Sequence, residues 1–132
     1  MFDNRTRADI VDATFISTYQ PTICGIATFT QNLFSSITKI DSSIRSNIVA
    51  INQEQKYRVN SKLPEVVQRI DKDQRQKYTH LAEKINKSST NIVCVQHEFG
   101  IFGGVGGIYF LDFLERCEKS IVTVLHTLNR NL

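Results

Sequence analysis

The sequence lacks the features that mark several common classes of small protein. Its three cysteines, Cys24, Cys94 and Cys117, are odd in number and far apart. With no CxxC pair, neither a zinc ribbon nor a disulfide framework is indicated. No apolar run reaches the ~18 residues of a membrane span. The stretch Met1 to Asp12 is polar and has no apolar signal core. The default expectation is a reduced, cytoplasmic protein whose contact with any membrane is peripheral. Charge of one sign is also scarce, with 16 Lys+Arg against 13 Asp+Glu and a net charge of +3. The basic residues are scattered as Arg5 and Arg7, Lys56 and Arg58, and Lys72, Arg75 and Lys77. They form no stripe interleaved with aromatics, so no nucleic acid is expected as a partner. Internal repeats and low-complexity segments are missing as well.

What remains is globular. Hydrophobic residues make up 41% and charged residues 22% of the chain, well away from the composition of disordered segments. A chain of 132 residues fits one domain. Such a domain buries roughly two-thirds of its unfolded surface. It holds one core, and a cleft between two ordinary domains is beyond its length.

Along the chain, residues 1–11 read as a polar lead-in to a domain over 12–132. Ala13 to Thr18 is a short run rich in β-branched and aromatic residues, stopped by Tyr19-Gln20-Pro21. It predicts a buried strand and a turn. From Ile26 the period changes: Ile26, Phe29, Leu33, Ile37 and Ile40 form one helical face. Asn47 to Ile51 predicts a second strand, Asn52 to Lys62 a loop, and Glu65 to Ile70 a short third strand. Asp71 to Lys87 predicts a helix with Tyr78, Leu81, Ala82 and Ile85 on one side and Asp71 or Asp73 as its cap. Asn91 to Gln96 is a fourth strand. A Gly-rich loop follows, then a helix with Ile108, Leu111, Leu114 and Cys117 expected inward. Ser120 to Leu125 is a fifth strand. Strands that alternate with helices and are continuously apolar argue for an α/β, Rossmann-like, mostly parallel sheet covered on both faces. The common doubly wound order puts the first strand beside the one at 92–96.

Ligands in such sheets bind beyond the carboxyl ends of the strands, and three loops fall there. In Tyr19 to Gly25, a helix start would offer free N–H groups to an anion; Gly25 either allows close backbone approach or simply permits a tight turn. The stretch Gln96 to Gly107 holds five of the chain's six glycines. It has neither a P-loop Lys nor the G-x-G-x-x-G spacing. His97, at a strand end, is either a donor, acceptor or proton shuttle, or structural. Glu98 is either its carboxylate partner or a solvated loop residue. The third loop carries His126. Cys24, His97, Glu98 and His126 can be imagined as metal ligands, but no local pair such as H-x-x-x-H supports this. No metal and no cofactor are expected. A Cys-His nucleophile pair, Cys24 with His97 or His126, ranks last because no orienting partner or oxyanion element can be named.

These residues carry a family resemblance. Phe15-Ile16-Ser17-Thr18-Tyr19-Gln20-Pro21 and Cys24-Gly25-Ile26-Ala27-Thr28-Phe29-Thr30 resemble the "STYPP…CGIATFT" opening of a branch of family 4 glycosyltransferases. Gln96 to Gly104 matches that branch's "QHEFGIFGG" segment, and Leu125-His126-Thr127 its "LHT". Gln20 departs from the pattern, where a second Pro is usual. The resemblance implies a GT-B architecture of two Rossmann-like domains facing a cleft. It implies transfer of a sugar, mannose or glucose, from a nucleotide-sugar donor to a carbohydrate or lipid-linked acceptor, and it favours retention. His97 is then the catalytic candidate, and Gly25, Glu98, Gly103, Gly104 and His126 the substrate-binding ones. The family's donor-binding domain would lie beyond Leu132. The chain alone is therefore expected to be inactive, and to self-associate through an open sheet edge. The alternative is a non-catalytic Rossmann-like binding or interaction domain.

Overall fold

A computed structural model describes residues 9–54 and 63–128. Most of the expected lead-in and of the 52–62 loop lies outside the described residues. The elements are β1 (Val11–Ser17), α1 (Gly25–Ile40), β2 (Ile44–Asn52), β3 (Val66–Asp71), α2 (Arg75–Asn86), β4 (Ile92–His97), a 3-10 turn (Val105–Gly107), α3 (Phe110–Arg116) and β5 (Ser120–Leu125). The five strands form one sheet in the order β3-β2-β1-β4-β5. Every neighbouring pair is parallel. As expected, β1 lies beside β4, and Phe15 is in register with both Ile48 and Cys94.

The alternation of side chains along the strands builds two cores. On one face Ala13, Phe15, Ile48 and Ala50 pack with Leu33, Phe34 and Ile37 of α1. On the other, Ile16, Val49, Ile51, Val93 and Val95 pack with Tyr78, Leu81, Ala82 and Ile85 of α2 and with Phe110 and Phe113 of α3. The protein is thus α/β and Rossmann-like, with helices on both faces of a parallel sheet. Each fully buried side chain such as Ile16 or Leu81 contributes roughly 1.5–3 kcal/mol. Tyr78 is buried whole, its phenol donating to the Lys72 carbonyl at 2.8 Å and accepting from the Gly103 N–H at 3.3 Å. Burial pushes its hydroxyl up to about 12.

Three local expectations are corrected. The inward face of α3 is not Ile108, Leu111 and Leu114, which are 48%, 50% and 39% exposed. Phe110 and Phe113 point inward instead. Phe110 stacks on Phe102 at 4.2 Å and on Phe113 at 5.1 Å, and meets the Tyr78 ring edge at 6.3 Å. Aromatic rings bury more area than Leu and gain from these geometries, so the aromatic stripe wins. Cys117, just past the helix end, does pack against this core. On α1, Phe29 and Ile40 of the expected face are exposed, while Ala27 and Thr30 are buried. The Thr30 hydroxyl lies 2.7 Å from the Ser17 hydroxyl of β1, so small residues let the helix approach the sheet closely. Finally, α2 is capped by neither Asp71 nor Asp73. Its N-cap is Gln74, which makes no side-chain cap bond. The Asp71 carboxylate instead accepts from Asn52 Nδ2 at 3.1 Å.

Candidate functional site

The chain builds β2 and β3 to one side of β1, then β4 and β5 to the other. A crevice opens where the direction reverses, beyond the carboxyl ends of β1 and β4. A cleft of about 450 Å³ lies there, lined by Thr18, Cys24 and Gly25 from the first loop and by Glu98, Gly100 and His126 from the others.

The first loop is held from several sides. Buried Tyr19 donates its hydroxyl to Glu65 Oε1 at 2.9 Å. Burial, and then the Glu65 contact, push that phenol well above its ordinary range. Arg69 Nη2 donates to the Gln20 carbonyl at 2.8 Å, and burial pulls its guanidinium below its ordinary value. Cys24 is the N-cap of α1. It is extended at φ −156°, and its Sγ accepts from the Ala27 N–H at 3.4 Å. The Thr18 hydroxyl lies 3.3 Å from that sulfur. A sulfur is a weak acceptor, and α1 carries no acidic residue in its first turn. The positive end of its dipole is therefore not neutralised from within the helix. A Cβ placed on Gly25 would meet nothing within 4 Å, so the helix start is open to the cleft.

The second loop is tied down by Gln53, whose Nε2 donates to the Ile101 carbonyl at 2.9 Å. At the top of β5 the His126 N–H donates to the His97 carbonyl at 2.9 Å, extending the ladder one residue past the strand. The His126 ring lies edge-on to Phe29 of α1 at 5.1 Å. Its Nε2 is 2.8 Å from Oε1 of Gln96, a side chain with no exposed surface.

The expected site residues come apart into three groups. Gly25, Glu98 and His126 share the cleft. His97 leaves the sheet on the other face, stacked on Phe102 at 5.8 Å and edge-on to Phe99 at 5.3 Å. It lines a second, more apolar cavity of about 400 Å³ with Val105, Ile108, Leu111, Leu114 and Leu125. Its Nδ1 is buried and has no partner among the described residues. Gly103 and Gly104 serve packing: a Cβ on Gly103 would run into the Lys72 carbonyl and Tyr109, and Gly104 has φ +81°. Among the described residues no three of His, Cys, Asp and Glu gather to hold a metal. Cys24, His97, Glu98 and His126 thus form no ligand set. Nor is any described helix long and apolar enough to cross a membrane.

Sequence reasoning passed over Gln96, Thr18, Gln53 and Phe29. Gln96 had a signal: a polar residue ending the apolar run Ile92-Val93-Cys94-Val95 must find a buried partner. Comparison with models of known protein families finds no match, and comparison with curated proteins finds none either.

Proposed function

We propose that this domain supplies one wall of the cleft of a sugar transferase that uses a nucleotide-sugar donor. The observation that carries the reading is the open start of α1. Its N-terminal N–H groups, beside Gly25, face a cleft at the switch point that also holds a carboxylate, Glu98, and an imidazole, His126. A helix start of this kind stabilises a diphosphate, including the negative charge that develops as it leaves. Glu98 and His126 offer hydrogen-bond partners to sugar hydroxyls. The resemblance of the 15–30, 96–104 and 125–127 segments to family 4 glycosyltransferases supports the same reading. In this reading one domain makes one wall, and a second α/β domain supplies the other.

The test is a titration of the labelled chain with GDP-mannose and UDP-glucose, followed by amide NMR. Shifts confined to Thr22–Ala27 and to the loop after β4 are expected. Saturating nucleotide sugar that leaves those amides unmoved overturns the reading. The placement of His97 on the opposite face, away from Gly25 and Glu98, favours the second reading, a binding domain without chemistry. In that case sugars or phosphates shift the amides, yet no nucleotide-sugar donor supports measurable sugar transfer by the protein.

A further inference from the structure

Gln96 is fully buried at the end of β4, and its Nε2 has no hydrogen-bond partner among the described residues. A buried amide left half satisfied is a liability for stability. A Leu or Met would fill the same space without that cost. What only a polar side chain does at this position is meet the His126 ring, with Gln96 Oε1 2.8 Å from His126 Nε2. With the Gln96 carbonyl oxygen turned toward His126, the ring nitrogen facing it carries the hydrogen, because a carbonyl oxygen has none to give. In a neutral imidazole the other nitrogen is then a bare lone pair. Phe29 packs edge-on against the ring at 5.1 Å and opposes its turning.

We propose that Gln96 is a positioning residue that holds His126 in its Nε2–H form, so that Nδ1 is presented as a hydrogen-bond acceptor to a ligand hydroxyl in the cleft. The inference deepens the sugar-transferase reading and rests on it for the identity of the hydroxyl, which is that of a sugar. Among the described residues Nδ1 has no protein partner, and it is not among the buried atoms that lack one. Among the described residues nothing occupies it, and we take it as the atom offered to a ligand. His126 also lines the same cleft as Gly25 and Glu98. A sugar whose phosphate sits at the start of α1 would bring its hydroxyls toward this side of the cleft. No proton is transferred in this arrangement; a hydroxyl donates and the ring accepts.

The experiment is long-range ¹⁵N–¹H NMR on the full chain without ligand, in buffer alkaline enough to keep imidazoles neutral. The His126 signals are expected to show protonated Nε2 and bare Nδ1. A His126 ring protonated on Nδ1 overturns the proposal outright. In Gln96→Met, near in shape but unable to accept, the separation of the two ring-nitrogen resonances should collapse toward the average of both forms. Gln96→Glu, which keeps an acceptor oxygen, should restore it. Unchanged His126 resonances in Gln96→Met also overturn the proposal. The wild-type measurement needs no variant to fold. Because no ligand is present, failure here is distinct from failure of the nucleotide-sugar titration, which tests the cleft itself.

Discussion

His97 and His126 are joined backbone to backbone, the His126 N–H donating to the His97 carbonyl at 2.9 Å, yet their rings lie on opposite faces of the sheet. His126 meets Phe29 of α1, whereas His97 meets Phe102 in the aromatic core under α3. Residues 97 and 125 are in register across β4 and β5, so His126 stands beside Glu98, one residue further on, and a one-residue step reverses the face. The chemistry offered beyond these strands is thereby divided between two cavities.

The two contrasting glycines give the first prediction. Gly103→Ala should destabilise the fold by about 1–3 kcal/mol, because the new methyl group meets the Lys72 backbone and Tyr109. Gly25→Ala should leave stability within about 0.5 kcal/mol, since that Cβ meets nothing. It should nevertheless weaken nucleotide-sugar binding by crowding the start of α1. Urea unfolding of both variants, with the NMR titration on Gly25→Ala, checks this.

On α3 the aromatic stripe carries the packing. Phe113→Ala should cost about 3–5 kcal/mol. Leu111→Ala, at a half-exposed position, should cost well under half as much. Equal losses in parallel denaturation curves would contradict the assigned face.

The Ser17–Thr30 hydroxyl pair is buried on both sides, with 2.7 Å between the oxygens. Thr30→Val strands the Ser17 hydroxyl and should cost about 1–3 kcal/mol. Adding Ser17→Ala removes the stranded group, so the double variant should be no less stable than the single one. A double-mutant cycle reads the coupling, and strict additivity would show that the hydroxyls act independently.

Asp12 gives a pH signature. Two hydrogen bonds from Arg45, at 2.6 and 2.8 Å, are the main reason its carboxyl is held below the ordinary range, and they outweigh the effect of burial. Its protonation constant is thus lower in the folded chain than in the unfolded one. The stabilisation it provides is present above the unfolded value of about 3.9 and is lost as pH falls through the folded one. The stability gap between the wild type and Asp12→Asn should accordingly be constant near neutrality and close in acid. Because the Arg45 side chain is 60% exposed, the gap should also narrow in high salt. Unfolding at several pH values and salt concentrations measures both.

How far the fold was legible depended on how local its cause was. The face of α2 could be read from Tyr78, Leu81, Ala82 and Ile85, because polar residues occupy its other sides. The segment 108–117 was ambiguous: Ile108, Leu111 and Leu114 form one apolar stripe, and Phe110 and Phe113 another. Periodicity weighs both alike, and only the shape of the pocket between Phe102 and Tyr78 selects the aromatic one. On α1 the sequence shows Phe29 as a core candidate, but the close approach at Thr30 and Ser17 frees it to pack on His126. Gly25, Glu98 and His126 were each legible as candidates because each follows a strand end or opens a helix, but so was His97, and only the fold separates it from them.

By itself the sequence determined a parallel α/β sheet with helices on both faces; the place of β1 beside β4 came from the common doubly wound order, which the fold follows. The sheet follows from patterns within single segments, the continuous apolar runs and the alternation of strands with helices. The tertiary structure alone decided which face each histidine takes, that Gly103 and Gly104 serve packing, and that Gln96 is the partner of His126. These depend on contacts between residues as far apart as Lys72 and Gly103 or Phe29 and His126. No local pattern records such distances; only the packed chain does.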